Sequence, residues 1–268
     1  MATIYCSTSG SNTSPYDTKA KAATNLDTAL GAASAGDTVL LESSYVETVS
    51  AAKTFTIPAG VSVITINYST DLRQPMANVG GYIGRPSGTS YALTFTLGSG
   101  AYLYGLRGVI APNFTNANIT AQTTASAAAL VVLDSCTFTN NARGSTASIQ
   151  IGRTNSNNSA SVMQLRNCVL EAAGAQTGSG SGRVKFSMLG DMIGGRIYRL
   201  SPGLYSVANM IGVAGTNDEG GGAIRFIGVD LSGAISDVGL VDAGSGSAAH
   251  VQIIDCRTPT YGIMANIS

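Results

Sequence analysis

Asp134, Asp230, Asp255 and His250 are the residues of this chain whose types suit hydrolytic chemistry. Hydrolysis of a glycosidic bond needs two carboxyl groups about 5–9.5 Å apart, one acting as acid and the other as base or nucleophile. No Asp-Asp pair occurs in the sequence. The three aspartates also differ in their place within the strand pattern set out below: Asp134 precedes a corner, Asp255 sits at one and Asp230 follows one. His250 is the single histidine, outward and just before a strand, and a lone surface histidine is more often an ordinary solvated side chain than a general base. There is no Trp and Tyr is the main aromatic at 11 residues, which gives few rings for stacking sugars. The four cysteines (Cys6, Cys136, Cys168, Cys256) include no CxxC and no Cys/His cluster, so the spacing of a zinc site is missing. Three of them share one inward position, the setting of small buried hydrophobes. If Cys136 and Cys168 lie on adjacent coils, a disulfide between them is sterically open, though cytosolic synthesis disfavours it. Asp218-Glu219 beside Gly220-Gly221-Gly222 makes an acidic loop tip that suits a cation, although such a tip is more often simply solvated. No catalytic, cofactor-binding or metal-binding residue is assigned on these grounds.

Contact chemistry has better candidates. Arg107, Arg166, Arg225 and Arg257, with Gln164 and Gln252, read as a sparse outward strip. Arginine is enriched at interface hot spots, against the commoner role of solvation and cross-strand pairing. Arg73, Tyr82 and Arg85 join them from residues 67–90, a Gly/Pro-rich stretch read as the longest irregular insertion; long loops on rigid scaffolds often bind. Thr-Phe-Thr occurs at 54–56, 94–96 and 137–139. Outward Thr rows on a flat face are an ice-binding pattern, but the copies are not spaced by the coil period, and the expectation is that they do not align.

The elements that position these residues come from a repeat. Val131 to Phe138 alternate so that Val131, Leu133, Cys136 and Phe138 point one way and Val132, Asp134 and Thr137 the other, with a turn at Ser135. The frame recurs at 101–106, 163–170, 224–231 and 251–258, and each copy has a small or polar corner residue: Gly105, Asn167, Gly228 or Asp255. The inward residues Leu103, Leu133 and Leu165 recur about every 30 residues, and the wider gap from Leu165 to Phe226 leaves room for one more coil, expected to carry Val184-Lys185-Phe186. A unit of this size cannot close its own core and must stack on its neighbours. The fold class is therefore all-β, a parallel β-solenoid. About nine coils at ~4.8 Å each would make a rod on the order of 40 Å long.

Residues 1–36 read as an N-terminal segment with a capping α-helix over 18–34, from Ala22, Leu26, Ala29, Leu30 and Ala33 on one face, ended by Gly36. Residues 37–268 read as the solenoid, with turn or edge loops at 153–160, 174–182 and 215–222. No C-terminal cap is evident, so the last coil is expected to be open unless another chain covers it. Only 11% of residues are charged, with 15 basic and 15 acidic side chains, and no basic tract points to nucleic acid or an anionic membrane. A hydrophobic fraction of 44% argues against disorder despite 33 glycines. The start lacks a basic region followed by an apolar run, and no apolar stretch is long enough to span a bilayer. The expectation is a product made in the cytoplasm without a signal peptide.

Leu26-Asp27-Thr28-Ala29-Leu30, Ala35-Gly36-Asp37-Thr38-Val39, Tyr45-Val46-Glu47 and Ile57-Pro58-Ala59-Gly60-Val61-Ser62-Val63, followed by the rungs Asn167-Cys168-Val169-Leu170 and Ser135-Cys136-Thr137-Phe138, resemble the right-handed parallel β-helix proteins of the pectate-lyase-like superfamily. The resemblance covers most of the chain and implies a right-handed solenoid with a helical N-terminal cap. It is much weaker for function, since the fold hosts lyases, hydrolases, adhesins and phage proteins. The calcium cluster and basic arginine of the pectate lyases, and the Asp-Asp and Gly-His signatures of the polygalacturonases, find no matching positions. A compact chain poor in charge and rich in Gly, Ser, Thr and Ala looks most like a bacteriophage virion protein. That likeness implies a non-enzymatic capsid decoration or cement protein, located in the virion, a homotrimer bound to the major capsid protein or other virion proteins. The alternative it implies is a tail fibre or spike component that binds or depolymerises host surface glycan.

Overall fold

A computed structural model describes residues 1–76, 81–85, 90–111, 116–123, 129–142, 147–152, 162–173, 183–200, 209–213, 223–234, 239–243, 250–259 and 263–267. The expected loops at 153–160, 174–182 and 215–222, with Asp218 and Glu219, lie outside them. The described residues are β apart from one short helix and connecting turns, and form three long sheets of nine, eight and six strands. Every strand pairing within them is parallel.

One coil shows the plan. Val131–Asp134 lies in the nine-strand sheet, Thr137–Asn140 in the six-strand sheet and Ser148–Gly152 in the eight-strand sheet. The chain then returns to the nine-strand sheet one place along, at Val162–Arg166. Eight such coils run from Thr38 to Ile267, where the sequence spacing suggested about nine. The last two cross the six-strand position only as isolated bridges at Asp230 and Arg257. Thr3–Cys6 adds the first strand of the nine-strand sheet, against Thr38–Leu41.

The corner between the nine- and six-strand sheets is the device that makes the coil. Gly105, Ser135, Asn167, Gly228 and Asp255, the five corner residues named from the sequence, all have positive φ, between 51° and 71°. That left-handed conformation reverses the in–out alternation by one residue, so inward positions on both sides of the corner face the same core. It also restricts the residue to Gly or to short polar side chains. Four of these corner N–H groups donate to the next coil: Gly105 to the Asp134 carbonyl, Ser135 to Arg166, Asn167 to Ile193 and Gly228 to Ile254, all at 2.8–2.9 Å. A second ladder runs the other way, from Thr137 N–H to the Leu106 carbonyl and from Val169 N–H to Cys136.

The core follows the predicted alternation. Val131, Leu133, Cys136 and Phe138 are fully buried, as are Met163, Leu165, Cys168 and Leu170. Phe55 and Phe95 stack in register with ring centroids 5.6 Å apart, and Phe138 meets Phe95 at 5.8 Å. Gly108 stands where a Cβ would come within 3.2–3.4 Å of Phe138, Leu93 and Phe95, so a larger residue there would press on all three. The cysteines are free thiols. Those of Cys136, Cys168 and Cys256 donate to the carbonyls of Leu103, Leu133 and Phe226 one coil back, and burial pushes the Cys168 thiol well above its usual range.

Four sequence expectations need correction. The helix spans Leu26–Ala32, not 18–34. Asn25 caps it by accepting from Thr28 N–H, and Ala23 instead bridges Cys6 as an extended residue, so the alanine periodicity ran past the true start. Leu26, Ala29 and Leu30 are buried in the common core, as the pattern required. Within 67–90, Tyr82–Arg85 and Ser90 onward are regular strands. The strand of the extra coil in the nine-strand sheet is Leu189–Ile193, and Val184–Ser187 belongs to the preceding coil, in the eight-strand sheet. Lastly, Thr54 and Thr56 align with Thr94 and Thr96, because the insertion after Ile66 absorbs the extra spacing. The rows continue as Thr120 and Gln122, and Thr137 and Thr139 belong to the six-strand sheet.

Candidate functional site

The outward side of the nine-strand sheet is built from residues at alternate positions on each strand, and strand register sets them in rows along the stack. Its N-terminal half is covered by the chain itself. Residues 67–76 fold back over it as a strap. The Tyr68 hydroxyl lies 3.0 Å from the Cys6 carbonyl and 2.9 Å from that of Leu40, and its ring packs edge-on to Tyr5 at 5.8 Å. Lys19 ties the strap down, donating to the Tyr68 carbonyl and pairing with Asp71 at 2.6 Å. Arg73 lies over the rings of Tyr102 and Tyr104, 6.0 and 5.5 Å from their centroids. Asp134 accepts from the Tyr102 hydroxyl at 3.0 Å and from Ser135 at 2.9 Å. Burial, reinforced by that carboxylate, raises the Tyr102 pKa.

Among the described residues, none lies over the C-terminal half of the same face. Its central row is Gln164, Asp191, Arg225 and Gln252, one residue per coil. Arg225 grips Asp191 through two bonds, Nε to Oδ1 at 2.6 Å and Nη2 to Oδ2 at 2.9 Å, and the carboxylate raises the arginine pKa. On one side lies the row Val162, Leu189, Ala223 and His250; on the other, Arg166, Ile193, Ile227 and Ile254. Val162, Ile193 and Ile254 are 44%, 36% and 40% exposed. A shallow cleft of about 470 Å³ runs over the Asp191–Arg225 pair, with His250 and Gln252 at its edge.

The six-strand face carries a second polar arrangement. Arg107, Thr137, Val169, Arg196, Asp230 and Arg257 form one row. Glu171 accepts from Thr139 at 2.7 Å and from the Tyr198 hydroxyl, with Arg196 at 3.6 Å. Burial, and then Glu171, push Tyr198 up to about 12. Asp230 accepts from Ser232 N–H and Oγ, which hold its carboxyl below the usual range.

The seven contact candidates therefore divide between two faces. Arg73, Arg166 and Arg225 lie on the nine-strand side; Tyr82, Arg85, Arg107 and Arg257 lie on the six-strand side, with the Arg85 side chain outside the described residues. The corner is the reason: Arg166 and Arg225 precede it in their coils and Arg107 and Arg257 follow it, so a single strip of all four does not form. Arg166 bonds Gln164 at 2.7 Å.

Four described carboxylates on these two faces are separated from one another. The register neighbours of Asp134 are Tyr104 and Arg166, those of Glu171 are Thr139 and Tyr198, those of Asp191 are Gln164 and Arg225, and those of Asp230 are Arg196 and Arg257. None of these four faces a second acid on the next coil. Asp255 stands exposed at its corner and His250 at the sheet surface. Among the described residues no three His, Cys, Asp or Glu side chains gather as a metal site, and no helix is long and apolar enough to cross a membrane. Glu171 and Asp191 were missed from the sequence. Glu171 was in reach, at an outward position just after the Asn167-Cys168 rung. Asp191 would have followed from reading Gly194-Gly195 as a corner. No family model, curated protein or solved structure matches this chain.

Proposed function

We propose that this chain is a non-enzymatic structural protein of a bacteriophage virion, a decoration or cement protein that bridges neighbouring subunits of the major capsid protein. The observation that carries the reading is the C-terminal half of the nine-strand face. Register-aligned Ile193, Ile227 and Ile254 form an apolar row on a stiff scaffold, with Val162 and Leu189 across the polar central row, and exposed apolar surface of this kind marks contact surfaces. The low charge content supports it, since weakly charged surfaces are the easier ones to desolvate. In this reading the solenoid is right-handed, as parallel crossovers nearly always are, and the Leu26–Ala32 helix closes its first coil. The arginine row of the six-strand face is then a second contact surface, on which Arg107 and Arg257 serve as anchors. Buried contact area stabilises the particle by mass action. The test is the disruption temperature of particles stripped of the protein, with and without adding it back. Binding with a rise in that temperature is expected. Failure to bind, or binding with no rise, removes the reading.

A tail fibre or spike that engages host polysaccharide is the second reading. The shallow cleft over Asp191 and Arg225, with His250 and Gln252 at its edge, offers charged and hydrogen-bonding groups to a glycan. Release of reducing ends from capsule, or saturable binding of it, favours this reading over the first.

A further inference from the structure

We propose that the C-terminal half of the nine-strand face pairs with the same face of a second copy, across a twofold axis that passes between Asp191 and Arg225. It concerns the free chain: the face is the one assigned above to capsid contact, so on a particle the capsid subunit displaces the second copy.

The central row reads Gln164, Asp191, Arg225, Gln252 along the stack. In charge it is neutral, minus, plus, neutral. A twofold axis lying in the contact plane, parallel to the strands, reverses the order of coils and keeps each row on itself. Gln164 then faces the partner's Gln252, and Asp191 faces the partner's Arg225. Each amide meets an amide and each charge its opposite, twice over by symmetry. Self-complementarity of this kind is what an isologous interface requires, and matched potentials fix its register. The flanking rows obey the same operation. Ile193 meets the partner's Ile227, and Leu189 meets the partner's Ala223, so apolar groups cover apolar groups on both sides of the ion pairs. Arg166 lies opposite the partner's Ile254, where its aliphatic stem can cover the methyls while the charge stays in water.

The other half of this sheet shows what such a face requires. There the chain lays its own strap, with Tyr68 and Arg73, over outward residues in the same rows. No described segment does this for Ile193 or Ile254, which stay 36% and 40% exposed. The paired region covers four coils by about five residues of strand, roughly 20 Å by 15 Å. That is near 300 Å² per copy, below the ~800 Å² per partner of a standard interface. The pairing is therefore weak in dilute solution and becomes substantial only at high local concentration.

Sedimentation equilibrium from about 10 μM to 1 mM tests it. Wild-type protein is expected to move from monomer toward dimer over that range. Asp191→Arg makes two arginines face the partner's arginine, and Arg225→Asp does the same with carboxylates. Each variant alone is expected to lose at least about tenfold in self-association. An equimolar mixture of the two restores opposite charges across the axis and is expected to pair, although each chain still lacks its internal Asp191–Arg225 bond. That rescue separates a contact between copies from a role in folding. Thermal melts establish that both variants are folded, and Ile254→Ser, on an exposed side chain, gives an independent weakening. A wild-type protein that stays monomeric at 1 mM, a trimer in place of a dimer, or a mixture no better than its components overturns the proposal.

Discussion

The corner at Asn167 offers a sharp test of how the coils are held. Its φ is 51°, its side chain is exposed, and its N–H donates 2.9 Å to the Ile193 carbonyl. Replacing it with valine keeps the N–H but places a β-branched residue in the left-handed region, at a cost of about 2 kcal/mol. Replacing it with glycine removes that strain, offset by about 0.5–1 kcal/mol of added unfolded-chain entropy. Asn167→Gly is therefore near neutral. For a chain of this size each kcal/mol moves the melting midpoint by roughly 2–4 °C, so Asn167→Val should melt about 4–8 °C below Asn167→Gly. Gln150→Val, at an outward position on the extended strand Ser148–Gly152, is the control and should fall within about 2 °C of wild type, since valine favours strands. Thermal melts by circular dichroism read all three. If Asn167→Val and Asn167→Gly melt together, the corner is not held in the left-handed conformation and the stacking account is wrong.

Three further outcomes follow from the core and the termini. Phe138→Ala empties a fully buried site against Phe95 and should cost about 3–5 kcal/mol, read as an earlier denaturant midpoint. Asp37 accepts from the N–H groups of Ala2 and Ser34, which lower its pKa. Its contribution is thus complete above about pH 4, the ordinary aspartate value, and is lost as pH falls through the lower folded value. The melting gap between wild type and Asp37→Asn should be constant above that pH and close below it; a gap that widens on acidification refutes the assignment. In a thiol-reagent titration of folded protein, half-buried Cys256 should react first, while buried Cys6, Cys136 and Cys168 wait for unfolding.

The corners were legible in the sequence because geometry leaves them little choice. A left-handed residue between two inward apolar positions admits Gly, Asn, Asp or Ser, and five of them stood out at Gly105, Ser135, Asn167, Gly228 and Asp255. The corner at Gly194-Gly195 was hidden because it holds two residues of positive φ instead of one, which breaks the frame. The insertion after Ile66 hid another in the same way. The seven contact residues could be read as outward, but not as belonging to two faces, since alternation gives the side of a strand and not the sheet it joins. The rows that make the candidate face were illegible for a related reason. Asp191 and Arg225 lie 34 residues apart in sequence, and only the register across Leu189–Ile193 and Ala223–Ile227 brings them together. The helix was over-extended because Ala22 and Ala23 are buried for a different reason, against the Thr3–Cys6 strand and its following loop.

The central functional claim is that this chain is a structural component of a virion. Quantitative mass spectrometry of particles produced from the genome that encodes it tests that claim most directly. The account predicts that the chain copurifies with intact particles in a fixed ratio to the major capsid protein and is released when they are disrupted. Its absence from washed particles, with the free protein instead cleaving or binding host polysaccharide, would contradict the account.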